Sequence, residues 1–128
     1  SAGDAKNGPL LYLRGSEDSD IVLELLEGKS DYKLHYLATI AGENHSVKII
    51  DNSNALSSRQ LPVMVGYSMP DSANHFSPIS PRETKNITFI NRTSAEIEIS
   101  EKTSESKIVT NSRIRRNDGE NIVIENKE

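Results

Sequence analysis

The chain of 128 residues contains no cysteine and no tryptophan, and aromatic residues make up only 5% of it. The absence of cysteine excludes disulfides, thiolate zinc sites and a cysteine nucleophile. It also argues against a small secreted scaffold that is held together by disulfides. Because aromatic side chains are scarce, we expect the core to consist mostly of isoleucine, leucine and valine.

The sequence also lacks an excess of basic residues and any long apolar run. The formal net charge is -4, whereas a nucleic-acid-binding protein usually shows a basic face. No apolar stretch approaches the roughly 20 residues of a membrane-spanning helix. Residues 1–9, SAGDAKNGP, are small and polar like a trimmed end, which predicts a flexible linker. We expect residues 10–128 to form one domain.

The clearest pattern lies at residues 86–100, NITFINRTSAEIEIS. Apolar residues occupy every second position on both sides of a short polar break, Asn91 to Ser94. Alternation of this kind predicts two strands of a β-hairpin, with Ile97 and Ile99 on the buried face. The opposite face of the second strand carries carboxylates, which is typical of an antiparallel sheet with one side in water.

Alternation and turn residues predict further strands along the chain. Residues 32–50 indicate a second hairpin, residues 61–67 a strand, and the Asn-Asp-Gly turn at 117–119 a tight connection near the end. Residues 16–28 fit either a strand or one short helix, and the pattern leaves both open. We find no internal sequence repeat. About eight short strands joined by turns predict an all-β fold, a two-sheet antiparallel β-sandwich.

A binding surface is predicted in the loops. Residues 68–84 form the longest irregular segment and contain three prolines. Loops of this length often carry function. Together with the turn near Asn91, this segment supplies the predicted partner-binding residues: Met69, Asp71, Asn74, His75, Phe76 and Arg92.

No catalytic, cofactor or metal site is predicted. The three histidines do not share the short spacing of metal ligands on one element. No G-x-S-x-G motif activates a serine. Glu96 and Glu98 could serve glycoside chemistry as paired acids, but a solvated strand face explains them better. The basic cluster at residues 113–116 could bind an anionic partner, and protection of an edge strand explains it better.

Three segments match the N-glycosylation acceptor pattern, beginning at Asn44, Asn86 and Asn91. In a chain with this much asparagine, serine and threonine, about two matches arise by chance. We therefore do not interpret these asparagines as glycan sites.

The segment Ser80 to Phe89, SPRETKNITF, resembles the Pro-x-Glu-then-strand segment of small extracytoplasmic β-sandwiches of the immunoglobulin or transthyretin kind. Within this group the chain is similar to the outer-membrane lipoproteins of type VI secretion systems. The usual Pro-Gly is replaced by Pro81-Arg82. The resemblance implies a lipidated cysteine before the polar N-terminal run, and loops that hold the periplasmic end of an inner-membrane partner.

From these observations we expect a non-enzymatic adaptor or assembly module of an envelope complex. It would bind a protein partner through its loops, contact a membrane only through an N-terminal lipid, and bind no nucleic acid. Its place would be the periplasmic face of the outer membrane or outside the cell. The alternative is a secreted or surface β-sandwich that binds a ligand or carbohydrate, as an adhesin does.

Overall fold

A computed structural model describes residues 11–13, 19–25, 36–51, 61–68 and 79–126. These ranges form fourteen strands and no helix. No helix in them could therefore span a membrane. The strands are β1 (Leu11–Leu13), β2 (Ser19–Leu25), β3 (Ala38–Ile40), β4 (Gly42–Glu43), β5 (His45–Asp51), β6 (Val63–Val65), β7 (Tyr67–Ser68), β8 (Ser80–Pro81), β9 (Thr84–Lys85), β10 (Thr88–Arg92), β11 (Ile97–Ile99), β12 (Thr103–Thr110), β13 (Ile114–Asn117) and β14 (Glu120–Glu125).

The chain winds through two sheets in successive coils. In the five-stranded sheet, β1, β3, β6, β11 and β13 are neighbours in chain order. In the seven-stranded sheet, β2, β5, β10, β12 and β14 follow one another in the same way. Each strand therefore lies beside its equivalent from the coil before. This arrangement is a parallel β-solenoid of five coils, in which each coil contacts mainly its neighbours.

The predicted antiparallel sandwich is wrong. In the part of the chain that the structure describes, ten of the eleven strand pairs are parallel, and only β7 with β8 is antiparallel. The predicted hairpins are also wrong, because β10 and β11 lie in different sheets, as do β3 and β5. The alternation of apolar and polar residues indicates that one face of a strand is buried, but it does not indicate whether the neighbouring strand is parallel or antiparallel.

The structural repeat has no matching period in the sequence. The strands of the five-stranded sheet begin at residues 11, 38, 63, 97 and 114, so the coils differ widely in length. Of the two alternatives for residues 16–28, the strand is confirmed where the structure describes this segment, at β2. Residues 1–9 lie outside the described ranges.

The core lies between the two sheets and is built from columns of equivalent residues. In the seven-stranded sheet, Val47, Phe89 and Ile108 stand in adjacent coils and are almost fully buried. The five-stranded sheet contributes a matching column at Ile40, Val65 and Ile99. As the composition predicts, the core is mostly aliphatic. Burial of these side chains contributes about 1.5–3 kcal/mol each to folding before entropic costs.

The seven-stranded sheet bends along one column of residues. The non-glycine residues with positive φ are Asn44, Asn86, Glu105 and Asn121, and the strand register places all four at equivalent positions of consecutive coils. The bend separates β4 from β5 in one coil and β9 from β10 in the next. Asparagine tolerates this left-handed conformation better than most residues, which accounts for Asn44, Asn86 and Asn121 in the column, the first two of which begin acceptor motifs.

Candidate binding face on the seven-stranded sheet

Five of the six predicted partner-binding residues lie outside the described ranges: Met69, Asp71, Asn74, His75 and Phe76. In the chain they lie between β7 and β8, which follow Gly66 of the third coil. These two strands pair antiparallel, and the amide of Arg82 donates to the carbonyl of Gly66 at 2.8 Å. The predicted role of the five residues stays a prediction.

The sixth predicted residue, Arg92, lies at the end of β10 with its side chain exposed. The sequence pattern places it in a hairpin turn, whereas the strand in fact continues through Asn91. Asn91 points inward and is buried, where its Nδ2 donates to the Ala95 carbonyl at 3.0 Å and to Thr110 Oγ1 at 3.1 Å. A polar residue can thus stay within the strand because its hydrogen bonds are satisfied.

Arg92 belongs to a surface on the outer face of the seven-stranded sheet that we call the cationic face. It consists of the outward side chains of three adjacent strand segments: Ser46, Lys48 and Ile50; Thr88, Ile90 and Arg92; Lys107 and Val109. Ile90 is at the centre, with Lys48 directly beside it on one side and Val109 on the other.

The charges on the cationic face are all positive. Its outward positions carry three cations and no carboxylate, although the chain as a whole is acidic. Lys48 and Arg92 form no ion pair within the described ranges. Lys107 Nζ contacts Glu125 Oε2 at 3.1 Å on the last coil, which neutralises part of its charge. On the adjacent strand β2, the exposed acids Asp20 and Glu24 lie diagonal to Lys48, so the positive charge with fewest acidic neighbours is that of Arg92, one strand further from β2.

The geometry of parallel strands sets the spacing of these charges. Adjacent coils are about 4.8 Å apart and alternate residues on a strand about 6.6 Å apart, so the Cα atoms of Lys48 and Arg92 are separated by roughly 8 Å. The partly buried side chains of Ile50, Ile90 and Val109 lie among the cations. The face can therefore accept anionic groups and apolar groups of one extended ligand at the same time.

The basic cluster at residues 113–116 is engaged in ion pairs. Arg115 Nε donates to Glu96 Oε1 at 3.0 Å, Arg113 lies 3.8 Å from Glu96 Oε2, and Arg116 contacts Asp118 at 2.6 Å. These arginines flank or lie on β13, the edge strand of the five-stranded sheet as described. The position and the pairing support the interpretation that the cluster protects an edge.

The acids Glu96 and Glu98 lie on the outer side of the same sheet and are both partly buried. Glu96 is held by two arginines, and Glu98 acts electrostatically on Tyr67. Burial raises the pKa of the Tyr67 phenol above its ordinary value, and the negative charge of Glu98 raises it further. The ion pairs of Glu96 give this carboxylate a structural role at the last coil.

His45 is buried in β5, while His35 and His75 lie outside the described ranges. Within the described part of the chain, no group of three or more histidine, aspartate or glutamate residues could hold a metal ion.

Sequence reasoning missed Lys48, Ile90 and Lys107 as members of one surface. They come together because strands from three coils stack in register, at separations of 42 and 17 residues in the chain. The alternation of each strand separately indicates which residues point outward. Only the coil register shows which outward residues are neighbours.

Comparisons with protein-family models, with curated proteins and with solved structures find no match for this chain.

Proposed function

We propose that the chain is a non-enzymatic binding module whose solenoid presents the cationic face to an acidic, partly apolar segment of a protein partner. The observation that carries this proposal is the cluster of three outward cations on β5, β10 and residue 107 in a chain of net charge -4, on the side of the sheet beyond the outward acids Asp20 and Glu24 of β2. Charge complementarity of this kind favours encounter and register with an acidic partner.

Two features favour a peptide segment as the ligand. The three aliphatic side chains of the cationic face would bury apolar residues of a peptide. The strands of the solenoid also give a regular two-dimensional grid, on which an extended segment with alternating acidic and apolar residues finds repeated partners. Most of the binding energy is expected from the buried apolar contacts, with the cations supplying specificity and association rate.

The test uses a fluorescent decapeptide of aspartate, glutamate and leucine, followed by fluorescence anisotropy. We expect the double variant Lys48→Glu/Arg92→Glu to lose at least about tenfold in affinity, because two attractive contacts become repulsive. The matched control for each single variant, Lys48→Glu or Arg92→Glu, is Lys102→Glu, which makes an equal charge change at an exposed lysine away from the cationic face. Its affinity should stay within about twofold, apart from long-range effects that salt screens.

Two results would contradict the proposal. Equal losses in Lys48→Glu, Arg92→Glu and Lys102→Glu would show that only net charge matters. Equally tight binding of a peptide in which serine replaces leucine would show that apolar contacts with Ile50, Ile90 and Val109 do not contribute to binding.

A second candidate is an anionic polysaccharide, which the exposed Ser46 and the neighbouring Thr88 favour, since hydroxyl groups beside cations suit a sugar acid. Polygalacturonate added as a competitor separates the two candidates. If polygalacturonate displaced the peptide at low concentration and bound the chain more tightly than the peptide does, the result would favour the polysaccharide.

The expected setting of this module, an envelope adaptor outside the cytoplasm and tethered through an N-terminal lipid, is part of the same proposal. The supporting observation is the resemblance of residues 80–89 to the corresponding segment of the outer-membrane lipoproteins of type VI secretion systems. Intact mass and fractionation of the protein from its own cells test it. An unmodified chain in the cytoplasmic fraction would rule the tethered adaptor out.

A further inference from the structure

Within the described residues, the last coil has an apolar strand edge with no partner strand. Three large hydrophobic side chains are exposed in the described ranges: Val22, Val123 and Ile124. Two of them lie on β14, where Val123 is 54% and Ile124 is 39% exposed. Among the described strands, β14 has a neighbour on one side only, β12. No described strand pairs with its other edge, and the backbone groups of such an edge can template another strand.

The two edges at this end of the solenoid differ in protection. Around β13 the edge carries exposed arginines, and charged residues discourage pairing with a further strand. By contrast, the centre of β14 is Asn121-Ile122-Val123-Ile124, with glutamates only at its two ends. The apolar centre makes β14 the edge that can associate.

We infer that β14 pairs antiparallel with β14 of a second copy of this chain, about a two-fold axis at Val123. Side-chain direction restricts such a pairing, because inward residues must face inward residues. Centring the pair on Val123 places Ile122 opposite Ile124 of the partner and the two Val123 side chains opposite each other. All three apolar residues of the strand then have apolar partners.

Charge also favours this pairing over a head-to-tail stack. In the two-fold pairing Glu125 lies opposite the partner's Asn121, so no like charges face each other directly. In a head-to-tail stack that continued the coil register, Glu125 would lie opposite Val22 and diagonal to both Asp20 and Glu24. Like charges in neighbouring positions of a sheet are destabilising. The two-fold arrangement also closes after two copies, whereas head-to-tail stacking continues without end.

The pairing would join the two seven-stranded sheets into one continuous sheet. Their cationic faces would then lie on the same side, with the two Ile90 residues separated by five strand spacings, about 24 Å. The inference does not depend on what the cationic face binds.

The test is sedimentation equilibrium of the full chain and of two matched variants. Val123→Lys and Val22→Lys make the same change at exposed, outward valines on opposite edge strands of one sheet. We expect the native chain to dimerise, Val123→Lys to raise the dimer dissociation constant at least about tenfold, and Val22→Lys to leave it unchanged within about twofold. An equimolar mixture of Val123→Lys with Val123→Glu should dimerise again, because opposite charges then face each other across the axis.

A second measurement uses the absence of cysteine from the native sequence. Directly opposite residues in an antiparallel pair have Cα atoms about 4.5–5.5 Å apart, within the range of a disulfide. Mild oxidation should therefore link Val123→Cys into a covalent dimer and leave Val22→Cys monomeric. A native chain that stays monomeric at about 1 mM would overturn the inference. Loss of association in Val22→Lys would overturn it too, because that result indicates head-to-tail stacking.

Discussion

Asn86 Nδ2 donates a hydrogen bond to Asn44 Oδ1 at 2.8 Å, although the two residues are 42 positions apart in the chain. Both have the left-handed backbone conformation, with φ values of 57° and 62°. They occupy the same position in the second and third coils, at the bend of the seven-stranded sheet. The hydrogen bond and the two bends thus reinforce each other between coils.

Replacing Asn86 should therefore destabilise the fold through its backbone conformation. Alanine at position 86 would have a Cβ atom at positive φ and no side-chain hydrogen bond to offset the strain. We therefore expect Asn86→Ala to lower the free energy of unfolding by about 1–2 kcal/mol in chemical denaturation. Asn86→Gly should cost less, because glycine adopts this conformation freely. The control is Asn111→Ala, an exposed asparagine without positive φ. Equal costs for alanine and glycine at position 86 would contradict the explanation.

The ion pairs of Glu96 connect the fourth coil to the fifth. Since the Glu96 side chain is 28% exposed and bonded to Arg115, Glu96→Gln should cost about 0.5–1 kcal/mol. Hydrogen exchange should rise first in β13. Lys85→Gln, which removes the more exposed pair with Glu105, should have a smaller effect. If exchange in β13 stayed unchanged in Glu96→Gln, the connecting role of this carboxylate would be wrong.

The raised pKa of the Tyr67 phenol predicts that the free energy of unfolding falls at alkaline pH. Because its pKa is raised in the folded state, its contribution to stability is complete below the ordinary tyrosine pKa of about 10 and is lost as the pH rises through the folded-state value. Spectrophotometric titration of Glu98→Gln should move one phenol transition to lower pH, and burial should keep part of the shift. Tyr67→Phe should make stability fall less steeply above pH 10. An unchanged titration in Glu98→Gln would contradict the electrostatic part of this account.

Gly66 is required in the third coil, between β6 and β7. Its φ is +81°, and an added Cβ would lie 1.9 Å from Thr103 Oγ1 and 2.3 Å from Ser100 Oγ. We expect Gly66→Ala to cost about 2–5 kcal/mol, from the backbone conformation and from overpacking together. In a Thr103→Ala background the same change should cost less, because one of the two close contacts is gone. Strict additivity of the two substitutions in thermal or urea unfolding would exclude a steric contribution from Thr103.

Much of the local structure could be predicted from the sequence. Alternation placed Ile97 and Ile99 on a buried face and Glu96 and Glu98 on the opposite side, and both assignments agree with the structure. Local pattern was sufficient here because the orientation of a side chain depends on its own strand. Arg92 was chosen from a supposed turn, and it in fact lies at the end of a strand.

The sequence by itself determined that the chain is all-β, that its core is aliphatic and that it cannot form disulfides. Only the tertiary structure decided that the strands run parallel in coils and that Lys48, Ile90 and Arg92 share one face. The physical reason is that hydrophobic alternation depends on one strand and its buried side. Strand direction and lateral neighbours depend on connections of unequal length between coils, for which this sequence has no regular period.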